Sequence, residues 1–232
     1  MSTAFLVSLA GALLLGVAHF WNEHFVVPQK FRPIAISFVA GIAVAYSFLF
    51  LLPDVSARAD HFGSSLYFIL LAGFAIVHLL EKFAYRHYHG LKSQWYVMHA
   101  VVHVGILFTY YTIVGSILYV TALVDIFESI LFVVPLAFYA TVGVISLEEI
   151  HINDTYTIIF RWILSASAVL GVLLGRFTVI AETSGYHALF AFVVGGFFYI
   201  IMIDLIPTKD KGAPAYFLLG VLIYALATFF IL

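Results

Sequence analysis

Polar punctuation cuts the chain into eight apolar stretches, near residues 3–21, 33–53, 63–83, 93–114, 117–147, 157–176, 185–207 and 213–232. A helix needs about 20 apolar residues to cross the hydrocarbon of a bilayer. The pattern therefore predicts an all-α integral membrane protein of eight transmembrane helices in a single domain spanning 1–232. The fifth stretch is the longest and contains Pro135, which predicts a kink. Little more than Val114-Gly115-Ser116 parts the fourth stretch from the fifth, which predicts a tight hairpin there. The opening MSTAFLVSLAGALLLGVAHF has no basic segment ahead of its apolar run. It reads as a first span, not a cleaved leader.

Composition agrees with a lipid solvent. The sequence is 64% hydrophobic and 9% charged, whereas soluble domains carry roughly a quarter charged residues. The net charge of −2 says nothing about nucleic acid, and no basic run supports such a partner. The absence of cysteine excludes disulfides, thiolate metal sites and cysteine nucleophiles. The basic residues are unevenly spread. Lys30, Arg32, Lys82, Arg86, Lys92, Arg161, Lys209 and Lys211 fall in or beside the odd-numbered loops, and Arg58 and Arg176 in the even ones. The positive-inside rule then places both termini outside the cytoplasm.

Two stretches match without a gap. FVAGIAVAYSFLFLLPD (38–54) and FVVGGFFYIIMIDLIPT (192–208) both open Phe-Val and both place Gly and Pro twelve apart, Gly41 to Pro53 and Gly195 to Pro207. Chance likeness of two apolar helices is the bland explanation. The sharper one is an internal repeat, inverted because the second span and the seventh run in opposite directions. Repeat 1 would cover about 3–90, a central hairpin about 91–150 and repeat 2 about 151–232, a 3+2+3 arrangement. Inverted repeats are typical of transporters that bind their substrate near the midplane.

The stretch FVAGIAVAYSFLFLLPD, with GFAIVHLLEK (73–82), WILSASAVLGVLLG (162–175) and FVVGGFFYIIMIDLIP, resembles in order the second, third, sixth and seventh spans of the ZIP family of divalent-metal transporters. The resemblance implies eight spans, both ends outside and a metal site on spans 4 and 5. Its span-4 motif falls on His99, Ala100, His103 and Val104. Its span-5 motif, aligned on Pro135, falls on Phe132, Val133, Val134 and Leu136. Those side chains offer a cation no oxygen or nitrogen to replace its water. An alternative alignment on VDIFES (124–129) recovers Asp125 and Glu128 but loses the proline. The family's site is thus rebuilt or degenerate.

Ionisable groups at membrane depth are functional candidates by default. His99 and His103 stand i, i+4 and share a helix face, a spacing that suits one metal ion or two neutral rings bonding helices together. With span 5 beginning at the VGS turn, His103 is expected to approach Glu128. His99, His103, Glu128 and Asp125 then form a site one helical turn outward of the family position. Such a set suits zinc, another divalent transition metal, or a proton relay. For Asp125 and Glu128 the bland reading is an acid pair at a hairpin end. Asp204 near Pro207 and His78 near Glu81 are possible pathway residues, or an interface aspartate and a helix-bonding histidine. His87 and His89 are loop histidines that could catch metal. Most of the Phe and Tyr residues read as lipid-facing or belt residues.

Three functions compete. The first is a ZIP-like transporter of divalent metal ions, not an enzyme. The second is a ZIP-fold membrane protein without transport, acting as scaffold, sensor or complex subunit. The third is a membrane zinc hydrolase, on the strength of the His-x-x-x-His of HAVVH with Ser47 and Asp54 as weak partners. The expected partners are the bilayer and a divalent ion. Gly171, Gly175, Gly195 and Gly196 permit close helix packing, and a homodimer is compatible with them.

Overall fold

The computed structural model describes residues 2–21, 28, 30–88, 93–142, 154–177, 184–207 and 212–231. Among these the chain is helical without strands. The helices are α1 (Thr3–Trp21), α2 (Arg32–Tyr46), α3 (Leu52–Phe62), α4 (Ser65–Tyr88), α5 (Ser93–Val124), α6 (Ile126–Val142), α7 (Asp154–Phe177), α8 (Ser184–Tyr199) and α9 (Pro214–Ile231). Among the described residues, five stretches are long and apolar enough to cross a membrane: Thr3–Phe20, Arg32–Phe62, Leu107–Val124, Ile158–Phe177 and Gly185–Ile203. Ser65–Leu80, Ile126–Thr141 and Pro214–Phe230 are shorter apolar helices. The chain is an all-α protein of membrane type.

The helices sort into two groups by their closest packing. In one, α2 lies along α9 and α4 along α8; in the other, α1 and α5 lie along α7, and α6 packs on α1 and α5. Glycines set the first group. A Cβ at Gly41 would collide with the Phe217 carbonyl oxygen, and one at Gly220 with that of Phe38. Across the other pair, a Cβ at Gly195 would strike the Leu70 carbonyl oxygen and one at Gly73 that of Phe192. The two crossings have the same construction. Phe38 and Gly41 on α2 stand in the same register as Phe192 and Gly195 on α8.

The second match is in the backbone. After α2 the helix widens into a π turn, Ser47–Leu51, before continuing as α3. After α8 it widens again, Ile200–Leu205. Leu52 N–H donates to Ser47 O in the first, and Ile206 N–H to Ile201 O, 3.1 Å away, in the second. Each turn is followed by its proline, Pro53 or Pro207. A proline ring clashes with the carbonyl four residues back in a regular α-helix, and a wider turn relieves that clash. The span expected to end at Pro53 instead runs on to Phe62. It stops at Gly63, whose φ of +92° few other residues adopt.

The expected position of the hairpin turn is corrected. The turn between the fourth and fifth spans is not at Val114-Gly115-Ser116. There α5 is unbroken, and the chain reverses at Asp125. Gly115 and Ser116 are packing residues: a Cβ at Gly115 would meet the Ala168 carbonyl, and Ser116 Oγ donates to Gly171 O at 2.9 Å. Asp125 ends the hairpin by capping α6, its Oδ1 accepting from Phe127 N–H (2.6 Å) and Glu128 N–H (3.2 Å). A minority of the aromatics fill the interior. Tyr46, Tyr111, Phe190 and Phe197 are fully buried, and Tyr46 packs on Phe50, Phe132, Phe197 and Tyr224.

Helix α6 passes through Pro135. Proline has no N–H, so the Leu131 carbonyl four residues earlier loses its helical donor. Tyr224 of α9 supplies a replacement: its hydroxyl donates to Leu131 O at 3.1 Å. This bond joins the two helix groups.

Candidate functional site

The corrected hairpin separates the four expected ligands. His103 lies 21 residues before the end of α5, and Glu128 two residues into α6. At 1.5 Å per residue they are about 28 Å apart along the helix axes, with His99 about 6 Å further. One ion cannot bridge that distance. His99 and His103 remain on one helical stretch of α5, and their side chains lie outside the described residues, as do those of Asp204 and His87. His89 lies outside them altogether. Among the described residues no group of three or more His, Asp or Glu side chains is gathered as a metal site.

The position opposite the span-5 motif is filled by other residues. Phe132 and Leu136 face Tyr46, Tyr110, Val193, Val194 and Phe197 around a void of about 10 Å³. A single water needs about 10–15 Å³, so this crossing has no room for a hydrated ion in the conformation observed. Tyr110 is seven residues past His103, about 10 Å toward the hairpin.

A polar cluster stands instead where α3 meets α8, within electrostatic range of Glu128 on α6. Asp54 and Arg58 are i, i+4 on α3, with Arg58 Nε 2.9 Å from Asp54 Oδ1 and Nη2 3.0 Å from Oδ2, a two-pronged pair. Arg58 Nη1 is 3.0 Å from His187 Nδ1 on α8. The guanidinium lies over the rings of Phe190 (4.3 Å) and Tyr186 (5.5 Å), and the His187 ring stacks on Phe62 at 3.8 Å. Glu128 lies within electrostatic range of Asp54, Arg58 and Asp125. The Tyr186 hydroxyl lies near Thr121 of α5. The side chains of Arg58 and Asp54 are 19% and 29% exposed, so water screens the pair only partly.

Of the expected residues, Glu128 and Asp125 thus sit at this cluster, Asp125 with one oxygen committed to its cap. His78 Nδ1 is 3.3 Å from the Tyr199 hydroxyl and bonds α4 to α8. Ser47 donates to Ala43 O at 2.7 Å, and Asp54 is held by Arg58. Arg58 and His187 escaped the sequence reading. Asp54 and Arg58 do carry the i, i+4 spacing of a helical ion pair, a signal hidden by the expectation that the span stops at Pro53. His187 carried no signal, because its partner is 129 residues away. Neither protein-family models nor curated proteins yield a match to this chain.

Proposed function

We propose that the chain is a membrane transporter of ZIP-like organisation. It has eight spans in a 3+2+3 arrangement, both termini outside the cytoplasm, and spans 1–3 related to 6–8 as an inverted repeat. The observation that carries this reading is the pair of π turns at equivalent register, each closed by a proline. The reciprocal glycine crossings of α2 on α9 and α4 on α8 support it further. Two units of opposite direction that share such details are the architecture of alternating access.

The cargo class is a divalent cation, zinc or another transition metal, served by two stations instead of one four-residue site. His99 and His103, with the loop histidines His87 and His89, form the station toward the cytoplasmic end. Glu128, beside the Asp54–Arg58 pair, marks the outer one. His78 and Asp204 line the route as interface residues. The apolar packing of Phe132, Leu136 and Phe197 between the stations favours one other reading, a ZIP-fold subunit or scaffold that no longer transports.

Purified protein in liposomes loaded with a metal-sensitive dye separates the two. Transport predicts zinc or manganese entry above empty liposomes, cut at least about tenfold in a His99→Ala/His103→Ala double variant and in Glu128→Gln. Folded protein that moves no zinc, manganese or iron refutes transport and leaves the scaffold reading.

A further inference from the structure

The Arg58–His187 contact fixes a protonation state. A guanidinium has five N–H donors and no acceptor. Its bond to His187 Nδ1 at 3.0 Å therefore requires that nitrogen to be bare, so His187 is neutral and carries its proton on Nε2. A second proton, on Nδ1, would set two cations face to face at hydrogen-bond distance. We propose that this contact is a proton-operated latch, which ties α3 to α8 while His187 is neutral and releases when Nδ1 is protonated.

The surroundings make the release specific. From α3, Asp54 already grips Arg58 with both oxygens, so it cannot turn to His187 without giving up that pair. Asp60 and His61 stand on the exposed side of α3. From α8, Tyr186 lies under the Arg58 plane. From α6, Glu128 is in range of Arg58 and Asp54, with Asp125 beside it at the hairpin. Phe62 holds the His187 ring by its face, a contact that a neutral or a charged imidazole can keep. Protonation thus breaks the Arg58 arm and leaves the ring seated. The displaced guanidinium edge turns toward Glu128, the carboxylate not already bonded to it. With that arm gone, α3 around Arg58 is held to α8 by fewer contacts and moves away, its Phe62 end staying on His187.

The latch belongs to this end of the molecule whether or not the protein transports an ion, and its test reads distance alone. The natural sequence has no cysteine, so cysteines placed at exposed Ala57 and Leu189 take nitroxide labels uniquely. Pulsed electron–electron resonance in lipid nanodiscs then measures the α3–α8 separation. At pH 8 one narrow distance is expected. At pH 5 a longer distance is expected, its population up at least about tenfold, as the loss of a charged hydrogen bond implies. In His187→Gln the amide oxygen accepts from Arg58 at every pH, and the pH 8 distribution persists. Should that variant not fold, Arg58→Lys keeps the pair with Asp54, lacks the third arm, and must also flatten the response. Identical distributions at pH 5 and pH 8 in the labelled parent overturn the latch. So does a pH response that survives in the folded His187→Gln or Arg58→Lys variant.

Discussion

Replacing Tyr224 by Phe removes one buried oxygen atom and leaves the ring on Tyr46 in place. Tyr224 is 4% exposed and its hydroxyl serves Leu131 O, the carbonyl that Pro135 deprives of a helical donor. Leaving a buried carbonyl without a partner costs about 1–3 kcal/mol, whereas interhelical bonds in membranes average about 0.6 and reach about 1.7 kcal/mol. The two ranges overlap at about 1–2 kcal/mol, the loss expected for Tyr224→Phe in reversible unfolding by SDS in mixed micelles. The reasoning is tested by its dependence on Pro135. In Pro135→Ala the backbone N–H returns and serves Leu131 O itself. Tyr224→Phe made in that background should cost about 0.5 kcal/mol or less, a coupling of about 1 kcal/mol in the double-mutant cycle. Equal losses in both backgrounds would refute the link between the proline and the tyrosine, whatever the size of the single effect.

The same change at Tyr111 should have the opposite sign. Its hydroxyl is buried with no hydrogen-bond partner among the described residues, so Tyr111→Phe should be neutral or stabilising by up to about 1–3 kcal/mol in the same assay. Gly41→Ala and Gly195→Ala should each lose about 1–3 kcal/mol, because the added methyl meets backbone and not a yielding side chain. Gly105→Ala, with nothing among the described residues within 4 Å of its Cβ, should gain up to about 1 kcal/mol from helix propensity alone. Thermal unfolding in detergent checks the three glycines together. Ser116→Ala removes a bond to Gly171 O and should cost about 0.5–1.5 kcal/mol. No loss there would return Val114-Gly115-Ser116 to the status of an incidental sequence.

Much of the helix layout was written in the apolar runs. Thr3–Trp21 coincides with the first predicted span, and the Gly-to-Pro spacing at 41–53 and 195–207, read as a repeat, marks the two segments that carry the matched crossings and π turns. The hairpin at Asp125 was misread because glycine and serine mean different things in water and in lipid. In a soluble chain Gly115-Ser116 would break a helix. Here they are small enough for α5 to lie against α7, where tertiary packing decides. The misplaced turn then carried the error into the site, since it alone brought His103 toward Glu128. Arg58 and His187 illustrate the other limit. Long-range pairs leave no trace in local spacing, and a charge after a proline looks like a loop charge until the helix is seen to continue.

The π turns bear on ancestry. A π turn holds one residue more than the α-helix it interrupts, and such bulges arise naturally as single-residue insertions. Ser47–Leu51 and Ile200–Leu205 carry that surplus residue at the same place. If the two halves descend from one duplicated gene, the insertion was already present in the unduplicated ancestor, which means the ancestral half-protein had a bent helix before it had a twin. The surplus residue also makes these turns the places where the chain should best survive a one-residue deletion. Losing Phe48 or Met202 would restore an ordinary helix there, while the same loss in α5 would rotate everything beyond it by about 100°.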